Sequence, residues 1–151
     1  MPSLTTEGVI VPILTPLNSD ETVDIPSLRR LVNYLVDNGV HGIWVSGTTG
    51  EFAALSDAQR LISMETVTNE VAGRVTIIGN ISGPSTQISL QMALDVQEMG
   101  MDGIAVTPPY YYSHAQDELL THYRHISDRC GLPLWVYNIP QTVKTAVAPN
   151  T

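Results

Sequence analysis

Three groups of side chains in this sequence are of types that do chemistry. The first is Gly47-Thr48-Thr49-Gly50-Glu51, which ends an apolar run begun at Gly42. Glycines let a backbone turn sharply and leave amide N–H groups uncovered. Two hydroxyls beside free amides at a strand-to-helix turn suit an oxyanion, either carboxylate or phosphate. The same residues would also make an ordinary tight turn that is threonine-rich. The second group is aromatic. Tyr110, Tyr111 and Tyr112 follow Pro108-Pro109, and Tyr137 closes the run Leu134-Trp135-Val136. A phenol relays a proton when a neighbouring hydroxyl holds it. The apolar run predicts a buried Tyr137 ring whose hydroxyl needs a partner. Thr48 is that partner if both strands point into one cavity. Otherwise Tyr137 is a core aromatic, and Tyr110 to Tyr112 form an aromatic loop against their own helix or a neighbouring subunit. The third group is His122 and His125, with Glu118 one turn earlier. No third ligand of matching spacing accompanies them, so they read as a solvated helix face and no metal site is expected. Cys130 reads as a packed thiol, and His41 is uninformative.

The elements that must position these residues follow from periodicity. Five short apolar runs, Gly8–Pro16, Gly42–Ser46, Val75–Gly79, Gly103–Thr107 and Leu132–Asn138, are nearly continuous and rich in β-branched residues. Parallel strands covered on both faces read this way. Between them lie helical patterns, clearest in Leu28, Leu31, Val32, Leu35 and Val36. Gly39, Gly73, Gly100 and Gly131 each follow a helical stretch, where a left-handed residue is wanted. Asp24 before Ile25-Pro26, Ser56 with Gln59, and Ser113 with Gln116 predict helix starts. A strand recurs roughly every 30 residues, the size of a βα repeat.

That order fits a doubly wound sheet or part of a barrel. A Rossmann domain needs G-x-G-x-x-G after its first strand. Here Pro12-Ile13-Leu14-Thr15-Pro16 stands there instead, which favours the barrel and argues against a phosphate-binding module. A full (β/α)8 barrel takes about 250 residues. The expected class is therefore α/β, the N-terminal portion of a (β/α)8 TIM barrel. It has about five parallel strands and four helices in a single domain over residues 1–151. Chemistry in such a barrel sits at the C-terminal strand ends, where Gly47–Glu51, Tyr110–Tyr112 and Tyr137 all fall.

Bulk properties narrow the partners. With 43% hydrophobic residues the chain is not disordered, and a formal charge of −8 disfavours nucleic acid and anionic membranes. A single cysteine excludes an internal disulfide and fits a cytoplasmic setting. No signal peptide or membrane-spanning run is expected.

Taken together, GTTGE after strand two, V-T-P-P-Y-Y after strand four and Y-N-I-P after strand five resemble one family. It is the dihydrodipicolinate synthase / N-acetylneuraminate lyase family of pyruvate-dependent class I aldolases. The resemblance covers essentially the whole chain. It implies that Thr48 and Thr49, with the turn shaped by Gly47 and Gly50, bind the carboxylate of pyruvate or another 2-keto acid. It implies that Thr48 and Tyr137 form a proton relay, with Tyr137 the central acid/base beside a Schiff base. Tyr110 would reach into a partner subunit's site, Tyr111 being the second choice. An aldehyde would be the other reactant, no cofactor is implied, and a homo-oligomer, dimer or tetramer, is expected.

Two departures matter. The family's Schiff-base lysine lies at the end of strand six, and the one lysine here, Lys144, does not match it and reads as a solvated loop lysine. Diaminopimelate-pathway members carry an arginine shortly after Y-N-[IV]-P, where Thr142 stands. That weakens dihydrodipicolinate synthase proper and leaves sialic acid lyase-like, sugar-acid aldolase or hydratase chemistry open. The alternative expectation is a non-catalytic half-barrel or truncated product that binds a keto acid or self-associates through its open edges.

Overall fold

A computed structural model describes residues 7–151. Five strands, β1 (Ile10–Pro12), β2 (Gly42–Val45), β3 (Thr76–Asn80), β4 (Gly103–Val106) and β5 (Leu134–Val136), form one sheet. All neighbours are parallel and the spatial order is β1-β2-β3-β4-β5. Parallel crossovers are right-handed, so an order that never reverses places every connecting helix on the same face. A doubly wound sheet reverses its order and has helices on both faces. The topology is therefore the N-terminal portion of a (β/α)8 barrel.

Helices α1 (Ile25–Asp37), α2 (Asp57–Val71), α3 (Thr86–Glu98) and α4 (Gln116–Ser127) cover the outer face, each packed on the next. A fifth, α5 (Pro140–Val143), is a single turn in the loop after β5 and goes beyond the four helices expected. Among the described residues no helix is long and apolar enough to cross a membrane.

The strands are short because the apolar runs extend into the loops. Strand one is Ile10–Pro12 within the run Gly8–Pro16, and strand five is Leu134–Val136 within Leu132–Asn138. On β2, Ile43 and Val45 are fully buried in one cluster with Leu28 and Val32 of α1 and Met64 and Val67 of α2. Truncating Ile43, Leu28 or Met64 to alanine would cost about 2–5 kcal/mol. Trp44 alternates with them and points to the concave face.

Helix starts follow two of the three sequence signals. The Asp24 side chain accepts from the Ser27 amide, and that of Ser56 from the Gln59 amide. Gln59 does not reach back to complete the box; its Oε1 accepts from the Val23 amide at 2.7 Å. Helix α4 is capped at Ala115 rather than Ser113, with Glu118 Oε2 accepting the Ala115 amide at 2.8 Å. Gly39, Gly73 and Gly100 are left-handed, at φ 79°, 75° and 81°. Gly131 is not among the left-handed residues; α4 ends at Asp128 in right-handed geometry.

Candidate active site

The turn after β2 is built differently from its sequence reading. Its left-handed residues are not the glycines but those flanking them, Ser46 (φ 53°) and Glu51 (φ 57°). Gly50 is needed for space. A Cβ there would lie 3.0 Å from the Ile13 carbonyl oxygen and 3.1 Å from Thr15 Oγ1. Thr15 Oγ1 donates to the Gly50 carbonyl at 2.8 Å, so β1's loop clamps the turn. The Glu51 and Phe52 amides fold back onto the Thr48 and Gly47 carbonyls. The amides of exposed Thr48 and Thr49 have no acceptor among the described residues.

A buried polar chain behind the turn fixes it. Asn80 at the end of β3 is fully buried, and its Nδ2 donates to the Ser46 carbonyl at 2.7 Å. Ser82 Oγ donates to Asn80 Oδ1 at 2.7 Å and accepts the Thr107 amide at 2.9 Å. Three strand ends are thus tied together by side chains in a dry region, where each bond left unmade costs about 1–3 kcal/mol. The strained Ser46 is held by this frame, as strain at a site requires. Nothing in the sequence singles out Asn80 or Ser82, which lie just past the apolar run Val75–Gly79.

Thr48 Oγ1 and Tyr137 Oη lie 3.2 Å apart. The Tyr137 ring meets Trp44 edge-on, centroids 4.7 Å apart. Its ring is half-buried rather than buried, because β5 borders the sheet and its flank is open. Tyr110 is half-buried and rests edge-on against Phe52, centroids 6.0 Å apart. Burial pushes its phenol above the ordinary tyrosine value, while the positive charge of Arg60 pulls the other way. Tyr111 and Tyr112 pack on each other and are exposed, Tyr111 with φ 86°. Thr48, Glu51, Phe52, Tyr110 and Thr142 line one cavity of about 360 Å³. The turn after β2, the tyrosine after β4 and the loop after β5 therefore share one mouth at the C-terminal strand ends.

The remaining polar residues divide. Lys144 is exposed, with Nζ 3.4 Å from the Gln141 carbonyl, as a solvated loop lysine would be. Cys130 is buried and burial raises its thiol, which suits a packed residue and not a nucleophile. His122 contradicts the solvated-face reading: it is buried, with Nδ1 2.9 Å from Thr86 Oγ1. The first turn of α3 covers it. Among the described residues no group of three or more His, Cys, Asp or Glu is placed to hold a metal ion.

The model of the dihydrodipicolinate synthetase family matches residues 5–151. N-acetylneuraminate lyase of Citrobacter koseri is 40% identical over 134 residues, which is 88% of this chain and 45% of the relative. The 4-hydroxy-tetrahydrodipicolinate synthase of Acidothermus cellulolyticus is 34% identical over 143 residues, 95% of this chain and 46% of the relative. The crystal structure of chloride-inhibited dihydrodipicolinate synthase from Acinetobacter baumannii, complexed with pyruvate, superposes with a TM-score of 0.94 at 30% identity. It covers 97% of this chain and 50% of that one. The chain spans about half the length of the curated relatives it matches.

Proposed function

The chain belongs to the dihydrodipicolinate synthetase family, and from that premise we propose that it supplies the keto-acid-binding and proton-relay part of a class I aldolase site. The observation that carries this reading is the 3.2 Å contact between Thr48 Oγ1 and Tyr137 Oη, made between residues 89 apart in sequence. A 2-keto acid, with pyruvate the simplest, would place its carboxylate against the Thr48 and Thr49 amides and hydroxyls. Tyr137 would then stand beside the keto carbon. In the cleavage direction its phenolate takes the proton of the substrate's β-hydroxyl. The adjacent carbon–carbon bond breaks, its electrons pass toward the imine nitrogen, and an aldehyde leaves. Thr48 holds the phenol and passes its proton onward.

The imine needs a primary amine. In this reading the amine comes from a lysine after a sixth strand, outside these 151 residues, because Lys144 is exposed and lies in the loop after β5. Thr142, at the cavity mouth, offers a hydroxyl where a carboxylate-binding arginine would mark the diaminopimelate-pathway enzymes. The aldehyde is then a neutral sugar-like one, and the reaction is of sialic acid lyase or sugar-acid aldolase type. A cytoplasmic dimer or tetramer belongs to the same reading.

The alternative, a non-catalytic half-barrel that binds a keto acid or self-associates, has its own observation. Strands β1 and β5 both border the sheet, and Val9 near β1 and Val136 on β5 are 60% and 46% exposed. Unpaired parallel edges with apolar flanks favour association.

The test is a pyruvate titration followed on backbone amide resonances, with borohydride reduction and peptide mapping of the same sample. Pyruvate should shift the Thr48 and Thr49 signals. Thr48→Val should weaken binding about tenfold or more, the worth of one hydrogen bond to a charged group. No adduct should map to Lys144. An adduct there would overturn the placement of the amine. Binding untouched by both Thr48→Val and Tyr137→Phe would overturn the site itself.

A further inference from the structure

We propose that Arg60, a buried arginine of α2, is a positioning residue for Tyr110. It holds Phe52 as the wall on which the Tyr110 ring rests and keeps a fixed positive charge behind the phenol. The inference deepens the proposed function, since it rests on Tyr110 belonging to that site.

Arg60 is 2% exposed. Its Nη2 donates to the Asn80 carbonyl at 2.8 Å, and its Nη1 to Asp57 Oδ1 at 3.3 Å. The guanidinium carbon lies 5.4 Å from the centroid of the Phe52 ring. Phe52, 8% exposed, meets Tyr110 edge-on. The order α2 arginine, β2-loop phenylalanine, β4-loop tyrosine is therefore one packed stack.

Its anchor is the frame that holds the GTTGE turn, because Asn80 binds Arg60 through its carbonyl and Ser46 through its side chain. Thr48 and Tyr110, reached from different loops, are thus referred to the same buried residue. A desolvated charge is costly. A purely space-filling role at this position would be met as well by an apolar side chain. Among the described residues only Asp57 pairs with the guanidinium, and its side chain is 61% exposed. The partially neutralised charge remains to act on its neighbours. Tyr110 is the titratable group it faces across the Phe52 ring, and the phenolate is the form it favours.

A charge effect and a loosening of structure move Tyr110 in opposite directions. Burial holds the phenol above the ordinary tyrosine value, and Arg60 draws it down. Loss of the charge alone raises it further. Local unfolding brings it back down toward the ordinary value. The experiment is a pH titration of tyrosine ring carbons by NMR in the unmodified protein, Arg60→Met and Arg60→Lys. Tyr110 is assigned through Tyr110→Phe. The expected result is an upward shift of the Tyr110 midpoint in Arg60→Met and an unshifted midpoint in Arg60→Lys, with other tyrosines unmoved. An unchanged or lowered midpoint in folded Arg60→Met overturns the proposal.

If Arg60→Met does not fold, Arg60→Gln decides, because it removes the charge and keeps an amide donor for the Asn80 carbonyl. The Tyr110 midpoint should rise there as well, and an unchanged or lowered midpoint overturns the proposal. Pyruvate affinity, read on the same samples, tests the proposed function separately. An unmodified protein that ignores pyruvate would sink that reading and leave the titration result standing.

Discussion

Lowering the pH from 7 to 4 should weaken this fold through one imidazole. His122 is 3% exposed, its Nδ1 is engaged by Thr86, and its Nε2 has no partner among the described residues. Burial pushes its pKa from 6.5 down to about 4, with His114 and His125 acting in the same direction. The unfolded chain takes up the proton near the ordinary value and the folded chain only near the lower one. Between the two the unfolded state holds more protons, so stability falls as pH drops through this window. It is fully present above the ordinary histidine value and levels off below the depressed one. A gap of about 2.5 units at about 1.36 kcal/mol per unit gives a loss of about 3 kcal/mol by pH 4, of which about 2 kcal/mol comes between pH 7 and 5. Against a total of about 5–15 kcal/mol for a typical domain, that is a large share. The assay is urea unfolding followed by tryptophan fluorescence at pH 7, 6 and 5, for the unmodified protein and His122→Leu. Going no lower than pH 5 keeps Asp20 and Asp24 out of the comparison, because hydrogen bonds from Thr22 and Ser27 hold their carboxyls below the usual range. The variant should show the shallower pH dependence. Parallel slopes for the two proteins would refute the argument.

The turn and its frame give two further predictions. Gly50→Ala must move the Ile13 carbonyl or Ser46, whose Cα would lie 3.3 Å from the new Cβ. It should cost about 1–3 kcal/mol in chemical denaturation. Gly47→Ala meets only the Trp44 ring at 3.5 Å and should cost about 0.5 kcal/mol or less; equal losses would mean that close packing at Gly50 is not the constraint. Asn80→Ala leaves the Ser46 carbonyl without its side-chain donor and the Ser82 O–H without its acceptor and should cost about 2–4 kcal/mol, with a fall in pyruvate affinity. Full stability in that variant would show that the strand ends are tied elsewhere.

What was legible in the sequence was local. Strand centres, the helix entries at Asp24 and Ser56, and three left-handed helix exits are set by residues close together along the chain, and they stand where the pattern puts them. The errors have a common cause. Whether a polar side chain is buried depends on which element lands opposite it. Arg60, to which the sequence pattern gives no role, is buried because β3 brings a carbonyl to it. His122 reads as solvated until Thr86 of α3 closes over it. Tyr137 reads as buried because its strand is apolar, but an edge strand has only one flank covered. Ser113 has capping-box spacing with Gln116, and Glu118 takes the cap instead by reaching Ala115.

The Thr48–Tyr137 contact also reports on the shape of the sheet. Strands β2 and β5 are separated by β3 and β4, three spacings of about 4.8 Å, or about 14 Å along the sheet. Side chains on a flat sheet stand parallel, and two so far apart would not meet. Here the hydroxyls are 3.2 Å apart and the Trp44 and Tyr137 rings touch. The sheet must therefore curl toward its concave face by the amount that barrel closure demands. The Thr48–Tyr137 contact and the curvature are one property. Anything that relaxes the curl separates the two hydroxyls before it breaks a single strand pairing. Residues that hold the curl, with Asn80 and Ser82 spanning β2 to β4 at the strand ends, consequently hold the Thr48–Tyr137 contact without touching either side chain.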